Sequence, residues 1–105
     1  MKFTVDEFVK QLPLPATEKW KDGVWDVEPF EKGGVRLVFF APTGTDYQTS
    51  HEEDEFYFIA KGSAILCIAE NRHSCSVGDA FFVAARTEHH FEDLSEDFAT
   101  WAIFF

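Results

Sequence analysis

The stretch Ser50-His51-Glu52-Glu53-Asp54-Glu55-Phe56-Tyr57 puts an imidazole and several carboxylates close together in the chain. These are the ligand types of Fe, Mn, Ni and Zn. His51 and Glu55 stand four residues apart. On one straight strand they would share a face but lie about 13 Å apart, too far for one ion. The chain must therefore turn between them, and Glu52, Glu53 and Asp54 are suitable loop residues. Such a turn sends two strands antiparallel and brings His51 and Glu55 together at their mouths. A third ligand must come from elsewhere. His89 and His90 are neighbours, so on a strand they point to opposite faces. His89 shares parity with Phe91 and His90 with Glu92, which puts His89 inward and His90 outward. His51, Glu55 and His89 then make a two-His-one-carboxylate set, which leaves coordination positions open for substrate or O₂. The competing reading is a solvated acidic loop beside ordinary hydrogen-bonded histidines.

The elements that would position these residues are short strands. One segment reads as helix. Thr4 is a good N-cap with Glu7 three residues on, Phe3 and Phe8 can staple the entry, and Pro13 and Pro15 stop the helix. Residues 1–20 are therefore expected to be a helix and arm that act as a lid or an edge cover. Strands are expected over Val24–Phe30, Val35–Ala41, Asp46–His51, Glu55–Ala60, Ala64–Ala69, His73–Val77, Ala80–Ala84, His89–Asp93 and Phe98–Phe105. Glu70-Asn71-Arg72 is the expected hairpin turn. Close strand spacing without intervening helices predicts an all-β antiparallel sandwich or barrel. Several strands are apolar on both faces, notably Glu55–Ala60 and Trp101–Phe105. One face needs cover from a second sheet, the N-terminal segment or another subunit, and a homodimer is expected.

Composition bounds the partners. The 105 residues fit one domain, expected to span 1–105. Asp plus Glu number 19 against 9 Lys plus Arg, a formal charge of −10, which argues against nucleic acid and anionic membranes as partners. With 46% hydrophobic residues and 13 Phe, disorder is not expected. No apolar run approaches the roughly 18 residues of a membrane span. The first residues lack a basic start and an apolar stretch, so a cytoplasmic location is expected. In that compartment Cys67 and Cys75 stay reduced, although a hairpin centred near Asn71 would bring them opposite each other.

The chain resembles the cupin superfamily. The family's first motif has a glycine, five residues, H-x-H, three or four residues, a glutamate, six residues and a glycine. Here Glu55 precedes Gly62 by that spacing, and His51 stands where the motif has its second His. The second motif, glycine, five residues, P-x-G, two residues, His, three residues, Asn, matches the spacing from Gly78 to His89 and Asp93. Both motifs lie within residues 43–93. The departures are Thr49 at the first His, Ala84 for Pro, Arg86 for Gly and Asp93 for Asn; Gln48 and Glu53 could stand in as ligands. The resemblance implies a single-domain antiparallel jelly-roll β-barrel with a short N-terminal helix. It implies a divalent transition metal (Fe, Mn, Ni or Zn) on His51, Glu55 and His89. A small organic ligand would sit in a pocket lined by Thr49, Tyr57, Phe81, Val83, Phe91 and Trp101. Tyr57 is the candidate catalytic hydrogen-bond donor, with Glu53 or His90 as acid or base only if turned inward. The activity implied is that of a metal-dependent dioxygenase, isomerase or lyase. The alternatives are a non-catalytic small-molecule or sugar-binding barrel, and a degenerate cupin without metal.

Overall fold

Thr4 opens the one helix, α1 (Val5–Gln11), in a computed structural model that describes residues 1–44, 46 and 50–105. The Thr4 hydroxyl accepts a hydrogen bond from Glu7 N at 3.3 Å, and the Phe3 and Phe8 rings lie 6.4 Å apart, as a cap and a hydrophobic staple require. Eight strands follow among the described residues: β1 (Asp26–Lys32), β2 (Val35–Phe40), β3 (Glu55–Lys61), β4 (Ala64–Ile68), β5 (Asn71–Cys75), β6 (Ala80–Val83), β7 (His89–Glu92) and β8 (Ala99–Phe104). The strand expected over Asp46–His51 falls largely on Tyr47, Gln48 and Thr49, which lie outside the described residues. Val24 forms an isolated bridge with Leu14, and β1 starts two residues later.

The strands form two antiparallel sheets, ordered β1-β2-β8-β3-β6 and β5-β4-β7. Tyr57, Ile59, Val83 and Ala102 of the larger sheet pack against Ala64, Leu66, Cys75 and Phe91 of the smaller one. Burying these apolar side chains between two pleated faces is the main stabilising contribution. Gly62, in the tight β3–β4 turn, has φ 71°, and a Cβ there would press on Ser95 Oγ and lie 2.9 Å from Phe98 Cα. Only glycine fits that approach.

The hairpin joining β4 and β5 differs from the expected one. Ile68 pairs with Asn71 and Cys67 with Arg72, so the turn falls on Ala69 and Glu70, with Ala69 at φ 52°. Asn71 and Arg72 belong to the strand. In this register Cys75 pairs with Ala64, not Cys67, and the two thiols are both free. Cys75 faces the core, whereas Cys67 faces away from it toward Arg72.

The N-terminal arm covers a face and not an edge. Phe8 of α1 packs on the outer face of the larger sheet against Phe39 and Trp101, with ring centroids 5.9 and 5.8 Å away. Val5 and Leu12 join this second apolar cluster. No helix among the described residues is long and apolar enough to cross a membrane.

Candidate functional site

One loop and the first residues of two strands, β3 and β7, bring His51, Glu55 and His89 together. Their ligand atoms lie within 4.8 Å of one another. The bend at Glu52 and Glu53 turns the chain, so that Glu55 begins β3 with its side chain inward. The His51 segment is stitched to the turn before His89. Arg86 N donates to His51 O at 2.7 Å, and Ala85 N donates to Asp54 Oδ1 at 2.8 Å. Asp54 and Phe105 exchange two backbone bonds of 3.0 Å, which tie the same loop to the chain beyond β8. Arg86, at the motif's glycine position, takes φ 62°, and Asp93, at its asparagine position, φ 51°. Both need the left-handed conformation that glycine and asparagine adopt most cheaply.

The hydrogen bonding fixes how each imidazole is used. His51 Nδ1 lies 2.9 Å from Glu53 O, and His89 Nδ1 lies 2.9 Å from Thr87 O. A carbonyl only accepts, so each Nδ1 carries the proton and donates it. A neutral imidazole then presents a lone pair at Nε2. Those two Nε2 atoms converge on one oxygen, Glu55 Oε1, at 3.0 Å from His51 and 3.1 Å from His89. The His89 approach lacks hydrogen-bond alignment, and both His89 Nε2 and Glu55 Oε2 are buried without a hydrogen-bond partner. Glu55 is 0% and His89 3% exposed. Lone pairs and an anionic oxygen pointed at one another in a dry place require a positive charge between them, a proton or a metal cation. Burial opposes charge on His89, but the Glu55 carboxylate and the Thr87 carbonyl outweigh it and raise the pKa above the ordinary 6.5. Nitrogen, oxygen, nitrogen with backbone-held imidazoles fits a divalent transition metal, because the outer hydrogen bonds set the tautomer a metal needs.

Beside this cluster lies a cavity of about 260 Å³, lined by Asp26, Arg36, Val38, Phe40, Ser50, His51, Glu55, Tyr57, Ala102 and Phe104. Arg36 guards it. Its guanidinium holds Glu53 through two bonds of 2.9 and 2.7 Å, pairs with Glu28, and lies 4.5 Å over the Phe104 ring. The hydrogen bond to Arg36 keeps the Glu53 pKa below the usual carboxylate range. Glu53 is therefore a clamped anion and not a fourth ligand. Asp26 keeps much of its surface in solvent, yet loss of water at its carboxyl and the nearby Glu28 raise its pKa, against the pull of Arg36.

Of the pocket residues expected from sequence, Tyr57 lines the cavity. Val83 and Phe91 are core residues between the sheets, and Phe81 packs at the edge of that core beside His73. Thr49 and Gln48 lie outside the described residues. Trp101 is on the opposite face. It pairs with Phe58 and Phe39, so it alternates outward while Ala102 and Tyr57 face in. His90 points out and bonds Glu92 at 2.8 Å. Sequence reasoning missed Arg36, Val38 and Phe40. The signal was a lone arginine in the apolar run Val35–Phe40, on the parity that pairs across to Phe104 and Ala102.

A second donor group, Cys67, His90 and Glu92, sits on the outer face of the smaller sheet. It contrasts with the first. Arg72 pairs with Glu92 and approaches Cys67 Sγ at 3.6 Å, so it already supplies the positive charge. The hydrogen bonds to His90 and Arg72 pull the Glu92 pKa down to about 2.

Comparison with known proteins matches this architecture. An uncharacterised protein of Streptomyces coelicolor is 32% identical over 60 residues, which span 57% of this chain and 57% of that protein. KdgF from a Halomonas species is similar in structure with TM-score 0.67 and 20% identity, covering 75% of this chain and 74% of that one. The DMSP lyase DddQ from Ruegeria pomeroyi has TM-score 0.66 and 18% identity, covering 75% of this chain and 45% of that one. At such identities the likeness shows the fold alone. The cupin domain model matches residues 36–105, from the arginine at the pocket mouth to the end of the chain, and takes in all three converging ligand residues. The chain belongs to the cupin family.

Proposed function

We propose that this cupin holds a divalent transition metal (Fe, Mn, Ni or Zn) on His51 Nε2, the Glu55 carboxylate and His89 Nε2. It acts on a small organic ligand in the adjoining cavity, as an enzyme of the dioxygenase, isomerase or lyase kind. The supporting observation is the pair of imidazoles, each tied at Nδ1 to a carbonyl and aimed at one buried carboxylate that has unpartnered atoms beside it. A metal of this kind supplies Lewis acidity, or redox chemistry with O₂ where it is iron. The chain supplies the rest. Val38, Phe40, Ala102 and Phe104 exclude water from the ligand, and Tyr57 in the cavity wall orients it. The clamped Arg36 and the high-pKa Asp26 at the mouth offer polar contacts to a ligand entering the cavity.

The rest of the reading is that residues 1–105 work as one domain, that the two sheets form an open jelly-roll barrel, that the protein is cytoplasmic and that it pairs as a homodimer. The test of the site is metal content. Protein purified without chelators is measured by elemental analysis beside His51→Ala and His89→Ala. Near-stoichiometric metal in the parent and its loss in both variants is the expected result. No metal in the parent after reconstitution with each candidate ion would remove the metalloenzyme reading and leave a binding barrel.

A further inference from the structure

Strand β7 carries a histidine on each of its sides. His89 points in to the buried cluster, and His90 points out over the exposed face of the smaller sheet. The register fixes what His90 meets there. Cys67 of β4 lies directly opposite His90, and Arg72 of β5 lies directly opposite Cys67 on its other side. Glu92 follows His90 by two residues and so shares its face. A sulfur, an imidazole nitrogen and a carboxylate oxygen therefore meet over the middle of the sheet, within 4.8 Å of one another. A tetrahedral zinc ion spaces such donors about 3.3–3.6 Å apart. The His90 and Glu92 side chains are 46 and 39% exposed, and rotating them closes that gap without moving the backbone. The cluster already holds a cation. Arg72 donates to Glu92 Oε2 and approaches Cys67 Sγ at 3.6 Å. That arginine is replaceable, because its side chain is 57% exposed and ion pairs at such a surface contribute little. Cys67, in contrast, is only 6% exposed, and its thiol faces the guanidinium.

We propose that Cys67, His90 and Glu92 bind a zinc ion in place of Arg72, and that this ion clasps β4 to β7. A thiolate, a carboxylate and a neutral imidazole carry two negative charges, which one divalent ion balances. The sulfur selects a borderline-soft ion over Mg, Ca or Mn. On binding, Arg72 swings into solvent and the Cys67 thiol proton passes to water. The proton that His90 Nε2 donates to Glu92 across 2.8 Å moves through water to Nδ1, which leaves Nε2 as the ligand. β7 is four residues long and lies at the edge of its sheet, paired with β4 alone. The clasp thus secures the strand that presents His89 to the buried cluster. Three ligands and a displaced guanidinium make this the weaker of the two sites, filled by added zinc. Metal carried through purification reports the buried cluster, so the two sites are tested apart.

Cobalt(II) added to the reduced full chain is the first probe. It should give the near-ultraviolet charge-transfer band of a thiolate ligand, which His51, Glu55 and His89 cannot produce because they hold no sulfur. Cys67→Ser should abolish the band, and His90→Ala should demand more cobalt to reach it. Arg72→Gln should tighten cobalt binding at least about twofold, because it removes the competing cation. Alkylation of the unaltered protein keeps the test independent of whether the variants fold. Arg72 lies between the two cysteines, so trypsin puts them in different peptides and mass spectrometry reads each alone. Zinc should slow alkylation of Cys67 by more than about tenfold and leave Cys75, which faces the core, unchanged. Zinc should also raise the melting temperature more in the parent than in Cys67→Ser. No charge-transfer band and no protection of Cys67 would overturn the site. Cobalt affinity unchanged or lowered in Arg72→Gln would overturn the displacement of Arg72. A band in the parent together with equal zinc shifts in parent and Cys67→Ser would overturn the clasp and leave the site standing.

Discussion

The two faces of the larger sheet are written into the same strands with opposite chemistry. Along β3, Glu55 and Tyr57 face inward to the ligand cluster and the cavity, while Phe56 and Phe58 face outward to the bare aromatic surface. The inner face gathers its charge in two places: Arg36 holds Glu53 and Glu28 at the half-exposed mouth, and two imidazoles converge on the buried Glu55. The outer face is apolar over β2, β3, β6 and β8, with Lys32 at its β1 edge, and divides into a part sealed by α1 and a part left open. Period-two alternation lets four consecutive residues serve two unrelated surfaces. It also means that a one-residue slip of β3 would destroy both at once.

The sharpest way to separate the sealed and open parts of the outer face is to empty them in turn. Phe39→Ala should cost about 3–5 kcal/mol, because it leaves a cavity between α1 and the sheet. Phe56→Ala, on the open part, should cost under about 1 kcal/mol at concentrations where the chain is monomeric. Denaturant melts of dilute protein measure both. Equal costs would show that the open part is covered in the monomer after all. On the inner face, Glu55→Gln keeps the shape but removes the anion. Metal affinity should fall by more than about 100-fold, and the metal-free protein should keep its melting temperature only above the raised His89 pKa, where no imidazolium is left to pair with the carboxylate. Calorimetric titration with Fe, Mn, Ni and Zn ions reads the first and a thermal melt the second.

Acidity gives a smaller and more diagnostic effect. His89 has a folded pKa above its ordinary 6.5. Its contact with Glu55 therefore stabilises the metal-free protein fully below 6.5, and that contribution fades as pH rises through the raised value. Metal binding runs the other way, because the ligand must be neutral, and weakens as pH falls through the same range. Melting the metal-free and loaded forms across this range should give opposite slopes. Parallel slopes would detach His89 from the metal. The smallest change is Arg86→Gly. Relief of the left-handed backbone at φ 62° should add about 0.5–1 kcal/mol, less the little contributed by the exposed pair with Glu52. A loss of stability would mean that the arginine makes a contact worth more than its strain.

Much of this was legible in the chain. Thr4, Glu7, Phe3 and Phe8 announce the helix start through local chemistry alone. Parity separates His89 from His90, since Phe91 and Glu92 mark which side of the strand is wet. Other features needed the partner strand. Trp101 was expected in the pocket because a strand apolar on both faces gives no sign of which face is inside. Only its pairing with Phe39 and Phe58 decides it. The β4–β5 turn was misplaced because Asn71 and Arg72 look like turn residues. The register instead follows inward Ala64, Leu66 and Cys75, and Ala69 takes the strained conformation. Arg36 matters only once β2 lies beside β8 and brings it over Phe104.

The tethers on the two imidazoles have one more consequence. Each histidine takes its orientation from a carbonyl two residues away in its own segment, Glu53 for His51 and Thr87 for His89. The reactive geometry is thus held by short-range main-chain contacts, whereas the cavity beside it is shaped largely by side chains of β2 and β8. Under the proposed function, what the site binds and how it reacts would be encoded in different stretches of chain. Substitutions at Val38, Phe40 or Ala102 would then change what the cavity admits without touching the imidazole tethers, whereas Phe104, whose ring lies 4.8 Å from that of His51, belongs to both.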